Sequence, residues 1–224
     1  MIVTGRTLDG DGDPVPGTGF ELDEDGWLSD LLCERAGPVR SHPTRGIWSA
    51  PLQTARGDGD QMRILSLFEP GYAGPPEHYH EVSQERFEIR RGSFSFSVDG
   101  TGRTVSAGET IVVKKGDRHT FSYDDDALGV SVTTVEPPGR IGHVLPTFAG
   151  IAHDERRSSD NLLQQAIIAK RLAGDTVFTE RSSLLSDVAT NVLAPLARLR
   201  NYQAAYAKYQ QPAFWEQHVE QPEL

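Results

Sequence analysis

The chain has 224 residues, a formal net charge of −10 and a single cysteine, Cys33. The negative balance argues against nucleic-acid binding by phosphate neutralisation. One cysteine rules out an internal disulfide and fits a reducing, cytoplasmic compartment, and no apolar run approaches the roughly 18 residues of a membrane helix.

Residues 1–60 are rich in Gly, Pro and Asp and read as an N-terminal extension. Asp9-Gly10-Asp11-Gly12-Asp13 resembles the start of a calcium loop. Pro14 stands where the loop requires glycine and Phe20 where it requires glutamate, so the segment reads as an acidic turn. Cys33, at the end of Trp27-Leu28-Ser29-Asp30-Leu31-Leu32, reads as a small buried hydrophobe. Short strands are expected around Ile47-Trp48 and Leu52, pairing with the strands that follow.

Residues 61–140 carry a period-two pattern. Apolar residues alternate from Met62 to Phe68, and Phe94, Phe96 and Val98 alternate with serines. Asp99-Gly100 is a hairpin turn signal. Thr110–Val113, His119–Tyr123 and Gly129–Val135 continue the series until Pro137-Pro138-Gly139. Closely spaced short strands with glycine turns predict a sandwich or barrel.

Residues 141–224 change period and are expected to be mainly helical. Ser158-Ser159-Asp160 is placed to cap a helix from about Asn161 to Leu172, ended by Gly174. A second helix is expected from Ser182 or Ser183, with Leu185, Val188, Val192, Leu196 and Leu199 on one face and a break or kink at Pro195. That stripe is assigned to packing on the barrel and to a homodimer contact. His143 and His153 are read as structural or exposed.

The chemistry concentrates in Gly74-Pro75-Pro76-Glu77-His78-Tyr79-His80, followed by Glu85, Gly92 and, further on, His119. Residues i and i+2 of a strand share a face, so His78 and His80 project together with Tyr79 opposite. Glu85 shares a face with Phe87 and Ile89, and a carboxylate on an apolar face needs a partner such as a metal. Glu77, Glu81 and Glu88 are out of phase or outward and read as solvated charges. A set of three nitrogens and one oxygen suits one divalent ion, with Fe, Mn, Ni, Co, Cu and Zn all open. His119, Phe121 and Tyr123 share a face, with Tyr123 read chiefly as an aromatic wall and secondarily as a hydroxyl donor to a pocket.

These residues resemble the cupin superfamily. His78, His80, Glu85 and Gly92 match the spacing of its first motif, with Gly71 one position out. Gly108, Gly116 and His119 match its second, where Lys114 replaces a proline and Tyr123 an asparagine. The resemblance covers residues 61–136 and implies a mainly β fold, a double-stranded β-helix or jelly-roll barrel, with the metal inside. The chain is similar to single-domain, quercetin-dioxygenase-like cupins. That likeness implies a metal-dependent oxidoreductase acting on a small aromatic or enol-like molecule. His78, His80, Glu85 and His119 would hold the ion, and Glu85 would also exchange a proton with substrate. Phe87, Phe94, Phe96, Phe121 and Tyr123 would line the pocket. A homodimer is expected, with no nucleic-acid or membrane partner. A ligand-sensing cupin without turnover, or a non-oxidative isomerase or decarboxylase, is the alternative.

Overall fold

Period-two alternation folds as strand because each strand then buries one face and solvates the other. The computed structural model describes residues 1–54, 60–154, 158–179 and 183–224. In chain order the elements are β1 (Ile2–Thr4), β2 (Phe20–Leu22), α1 (Trp27–Cys33), β3 (Arg40–His42), β4 (Ile47–Gln53), β5 (Met62–Phe68) and β6 (His78–His80). They continue with β7 (Gln84–Arg91), β8 (Ser93–Val98), β9 (Thr101–Ser106), β10 (Thr110–Val113), β11 (His119–Tyr123) and β12 (Gly129–Glu136). The C-terminal region supplies α2 (Ile141–Ile151), α3 (Leu162–Leu172), β13 (Thr176–Phe178), α4 (Ser183–Leu199) and α5 (Pro212–His218).

Two antiparallel sheets form the barrel. One is six-stranded in the order β10-β7-β12-β5-β4-β3, and the other five-stranded in the order β13-β6-β11-β8-β9. The chain is therefore mainly β, a jelly-roll barrel with C-terminal helices, as the sequence led us to expect. β3 and β4 come from the N-terminal region and lengthen the first sheet, while β13 comes from the helical region and edges the second. The space between the sheets is filled by Phe68, Phe87, Ile89, Phe94, Phe96, Ile111, Val113 and Tyr123, among others. The Asp99-Gly100 turn between β8 and β9 places both residues at positive φ, 48° and 76°, as a two-residue hairpin of the primed type requires.

A second core lies on the outer face of the six-stranded sheet. Leu65, Leu67, Val130 and Val132 meet Leu28 and Leu32 of α1 and Tyr209, Trp215 and Val219 from the C-terminal region. β5 and β12 are thus buried on both faces, which explains why β12 is buried almost throughout. A third cluster joins α2, α3 and the end of α4 through Val144, Ile167, Ile168, Leu172 and Ala197.

Four local expectations are corrected. Cys33 is exposed, because α1 turns Leu28, Ser29 and Leu32 inward and leaves its last residue at the surface. The cap of α3 is Asn161, whose side chain accepts from the amides of Leu163 and Gln164; Ser158 instead bonds the amide of Asp160. Of the break or kink expected at Pro195, the break does not occur: α4 runs through it, although proline removes the bond that the carbonyl of residue 191 would otherwise accept. Its buried face uses Ala194 and Ala197, and Val192, Leu196 and Leu199 stay exposed at 64%, 37% and 83%. Ser182 and the side chains of Leu185 and Val188 lie outside the described residues. The Asp9–Asp13 segment is an Asx-type turn, with the Asp9 carboxylate accepting from the amides of Asp11 and Asp13.

Candidate metal centre

His78 and His80 bracket the short strand β6, and β11 pairs with it so that His119 lies opposite His78. All three imidazoles come from the five-stranded sheet. Glu85 comes from the facing one, because the connection after His80 crosses from β6 to β7 in the other sheet. The entry to β6 is set by Gly74, at φ 86°, whose α-carbon passes so close to the Phe121 backbone that no side chain fits.

One donor atom from each of His78, His80, Glu85 and His119 lies within 4.8 Å of the others. The His119 Nε2 is 3.0 Å from Glu85 Oε2, and the His80 Nε2 is 3.4 Å from Glu85 Oε1. Donors about 2.1 Å from a shared ion stand about 3 to 4 Å apart, so a small inward shift brings this set to coordinating distance. The His80 Nε2 is buried and, among the described residues, makes no well-aligned hydrogen bond. Such an atom costs about 1–3 kcal/mol if left bare, and a cation at the centre of the cluster would satisfy it. The donor set and this bare nitrogen fit a divalent ion.

The outer nitrogens have partners too. His78 Nδ1 donates to the Pro76 carbonyl at 2.9 Å, and His119 Nδ1 to the Asp117 carbonyl at 3.1 Å. A carbonyl only accepts, so both Nδ1 atoms carry hydrogen. Each partner lies two residues upstream, just before its strand begins. His80 ends its strand and uses Thr176 of β13 instead, at 3.0 Å.

Electrostatics follow from this packing. Burial, reinforced by the charge of His119, lowers the His78 pKa to about 4, so its imidazole is neutral near pH 7. Burial raises the Glu85 carboxyl, but hydrogen bonding from His119, the close approach of the His80 Nε2 and the charge of both imidazoles outweigh it and hold the carboxyl well below its usual range. Burial also lowers His119, and the Glu85 hydrogen bond overcomes that and leaves its pKa raised. The cluster therefore pairs an anionic oxygen with imidazoles, one of which holds a proton that a metal would displace.

The five aromatic residues expected to line a pocket pack on one another. Phe121 stacks on Phe96 at 5.3 Å and meets Phe87 at 5.5 Å, in the layer next to His119. One layer deeper, Phe94 and Tyr123 meet at 4.6 Å, and the Tyr123 hydroxyl donates to the Ala127 carbonyl at 2.6 Å. Phe94 and Tyr123 are each 1% exposed. These two pack in the core, and the Tyr123 hydroxyl is committed away from the histidines. Glu77 is tied to the Thr179 hydroxyl, and Glu88 to Arg86, so neither joins the cluster. His143 is exposed and His153 bonds to Ser41. Thr176, Asp175 and Phe178, whose ring lies 5.7 Å from His78, were missed. β13 is three residues long, between helices, and offers too short an alternation to be read.

Residues 64–136 match the family model described as Cupin domain, and a search of curated proteins found no match. Several solved structures are similar. KdgF from Halomonas sp. is 22% identical, with 41% of this chain and 79% of that chain covered and a TM-score of 0.37. An RmlC-like cupin from Shewanella frigidimarina is 20% identical, covering 54% and 92%, with a TM-score of 0.39. A Streptomyces PAC13 variant solved with uridine is 18% identical, covering 42% and 71%, with a TM-score of 0.35.

Proposed function

We propose, taking the cupin domain match over residues 64–136 as premise, that this chain is a metal-dependent, dioxygenase-like oxidoreductase acting on a small aromatic or enol-like molecule. The observation that carries this reading is the donor set: three imidazole nitrogens and one carboxylate oxygen, all within 4.8 Å of one another. His78, His80, Glu85 and His119 would hold one divalent ion. When bound, such an ion supplies Lewis-acid polarisation of a substrate oxygen and, if redox-active, a route to dioxygen chemistry.

The chain's own groups have distinct tasks. His78 and His80 present lone pairs inward. Glu85 supplies the negative charge, and it would exchange a proton with substrate once the His119 hydrogen bond that depresses its basicity is displaced. Its side chain is 12% exposed, against 3% for His80 and 1% for His119, so a substrate meets it more readily than the imidazoles. The plug formed by Phe87, Phe96 and Phe121 keeps water from reaching the ligands through the barrel and gives an apolar floor for a planar substrate.

Elemental analysis of purified protein, followed by oxygen-electrode assays with aromatic and enol substrates, tests the proposal. About one redox-active metal per chain and metal-dependent oxygen uptake are expected. His80→Ala should lose at least about 100-fold in metal affinity, the upper end of what outer partners alone contribute, and should lose turnover. Turnover without oxygen uptake would assign the site to non-oxidative isomerisation or decarboxylation. Tight ligand binding without turnover would make it a sensor.

A further inference from the structure

We propose that Thr176 and Asp175 are positioning residues that fix His80 as a metal-ready ligand, so that the C-terminal region, outside the matched domain, completes the centre. The inference rests on the metal-site reading above and adds what holds that site in its binding form.

The directions of two hydrogen bonds carry it. Thr176 Oγ1 lies 3.0 Å from Asp175 Oδ1 and 3.0 Å from His80 Nδ1. A hydroxyl has one proton, and a carboxylate accepts it. Thr176 therefore donates to Asp175, and its oxygen is left to accept from His80. That places hydrogen on His80 Nδ1, so in the neutral imidazole the lone pair is on Nε2, the atom that faces the cluster. Among the described residues Nε2 makes no well-aligned hydrogen bond, and its 3.4 Å approach to Glu85 Oε1 is looser than the 3.0 Å bond that His119 donates to Oε2, as expected of a nitrogen without hydrogen. Glu85 pulls the hydrogen to the inner nitrogen, and the Thr176–Asp175 pair holds it on the outer one.

The relay is anchored on both sides. Asp175 is 2% exposed and Thr176 3%. The other Asp175 oxygen accepts from the Arg140 amide at 2.6 Å, and the Asp175 carbonyl accepts from the Glu81 amide at 2.6 Å. A side chain at Gly139 would collide with the Asp175 carboxylate, so the glycine keeps room for it. β13 also pairs Thr176 with His80 in register. Outer partners of metal-bound histidines set tautomer and ring orientation in this way.

Thr176→Val keeps the β-branched shape and removes the hydroxyl, and Thr176→Ser restores it. Nitrogen-15 NMR of the metal-free protein should show His80 with hydrogen on Nδ1 in wild type and Thr176→Ser, and a shift toward Nε2 in Thr176→Val. Competition for Zn2+ with a chromophoric chelator should show a loss of about 10- to 100-fold for Thr176→Val and near wild-type affinity for Thr176→Ser. Equal melting temperatures of the metal-free proteins would separate positioning from folding. Thr176→Ala carries the same expectation if the valine variant does not fold. Wild-type tautomer and affinity in the folded variant lacking the hydroxyl would overturn the inference and leave the metal site standing. Failure of wild type to bind Zn2+ would overturn the site itself.

Discussion

At the scale of single residues, the histidines differ in what their surroundings ask of them. His153 is packed among Trp215, His218 and Ser41, outside the cluster. Burial lowers its pKa from 6.5 to about 4. The unfolded chain therefore takes up a proton on this residue before the folded one does. Its contribution to stability is complete above pH 6.5 and is lost as the pH falls toward 4, by roughly 3 kcal/mol at most. Urea unfolding of wild type and His153→Gln across that interval should show the difference between them shrinking with acidity; a constant offset would contradict the assignment. Tyr123 gives a second residue-level test. Among the described residues its hydroxyl bonds only Ala127, so Tyr123→Phe should cost about 1 kcal/mol in denaturation and leave metal affinity unchanged. The residues of the cluster were legible because a strand's alternation puts His78 with His80 and Glu85 with Phe87. Thr176 was not, because its meeting with His80 depends on a pairing across 96 positions.

At the scale of elements, strands with a buried face were read well, and solvated strands and short helices poorly. β5, β8, β10, β11 and β12 fall where the pattern puts them, since each has at least one face committed to a core. β9 escaped notice because Thr101–Ser106 buries only Val105, and solvated residues leave no period to detect. α1 and α5 are seven residues each, below the length at which helical spacing separates from chance. The turn before β6 is the element on which the site's geometry rests. Gly74→Ala would place a methyl group against the Phe121 carbonyl at a left-handed backbone position. A destabilisation of about 2 kcal/mol or more is expected, with weaker metal binding because His78 and His80 shift together. Calorimetry and Zn2+ titration on the same sample would check both. Stability lost with metal affinity intact would show that β6 holds its place without the turn.

At the scale of the whole molecule, the sheet shared by two cores links the extensions to the barrel. Trp215 is fully buried, donates its indole N–H to the Tyr209 carbonyl and packs in the outer core, apart from His78, His80 and His119. Trp215→Ala should cost about 3–5 kcal/mol, read as a lower urea midpoint. Protein still folded at low urea should bind Zn2+ as wild type does; lost affinity there would show that the outer core tunes the site. The two ends of the described chain also meet. Thr7 bridges Val219, the Gly5 amide bonds the Glu220 carbonyl, and the Arg6 guanidinium grips the Glu220 carboxylate across a separation of 214 positions. A contact this distant closes a very large loop, so it rewards the chain only after the strands between have found their partners. The clasp is thus a late event in folding and an early one in local opening. Amide hydrogen exchange should report it: Gly5, Leu8 and Glu220 should exchange together and sooner than the amides of β5 and β12, whose protection waits on unfolding of the barrel.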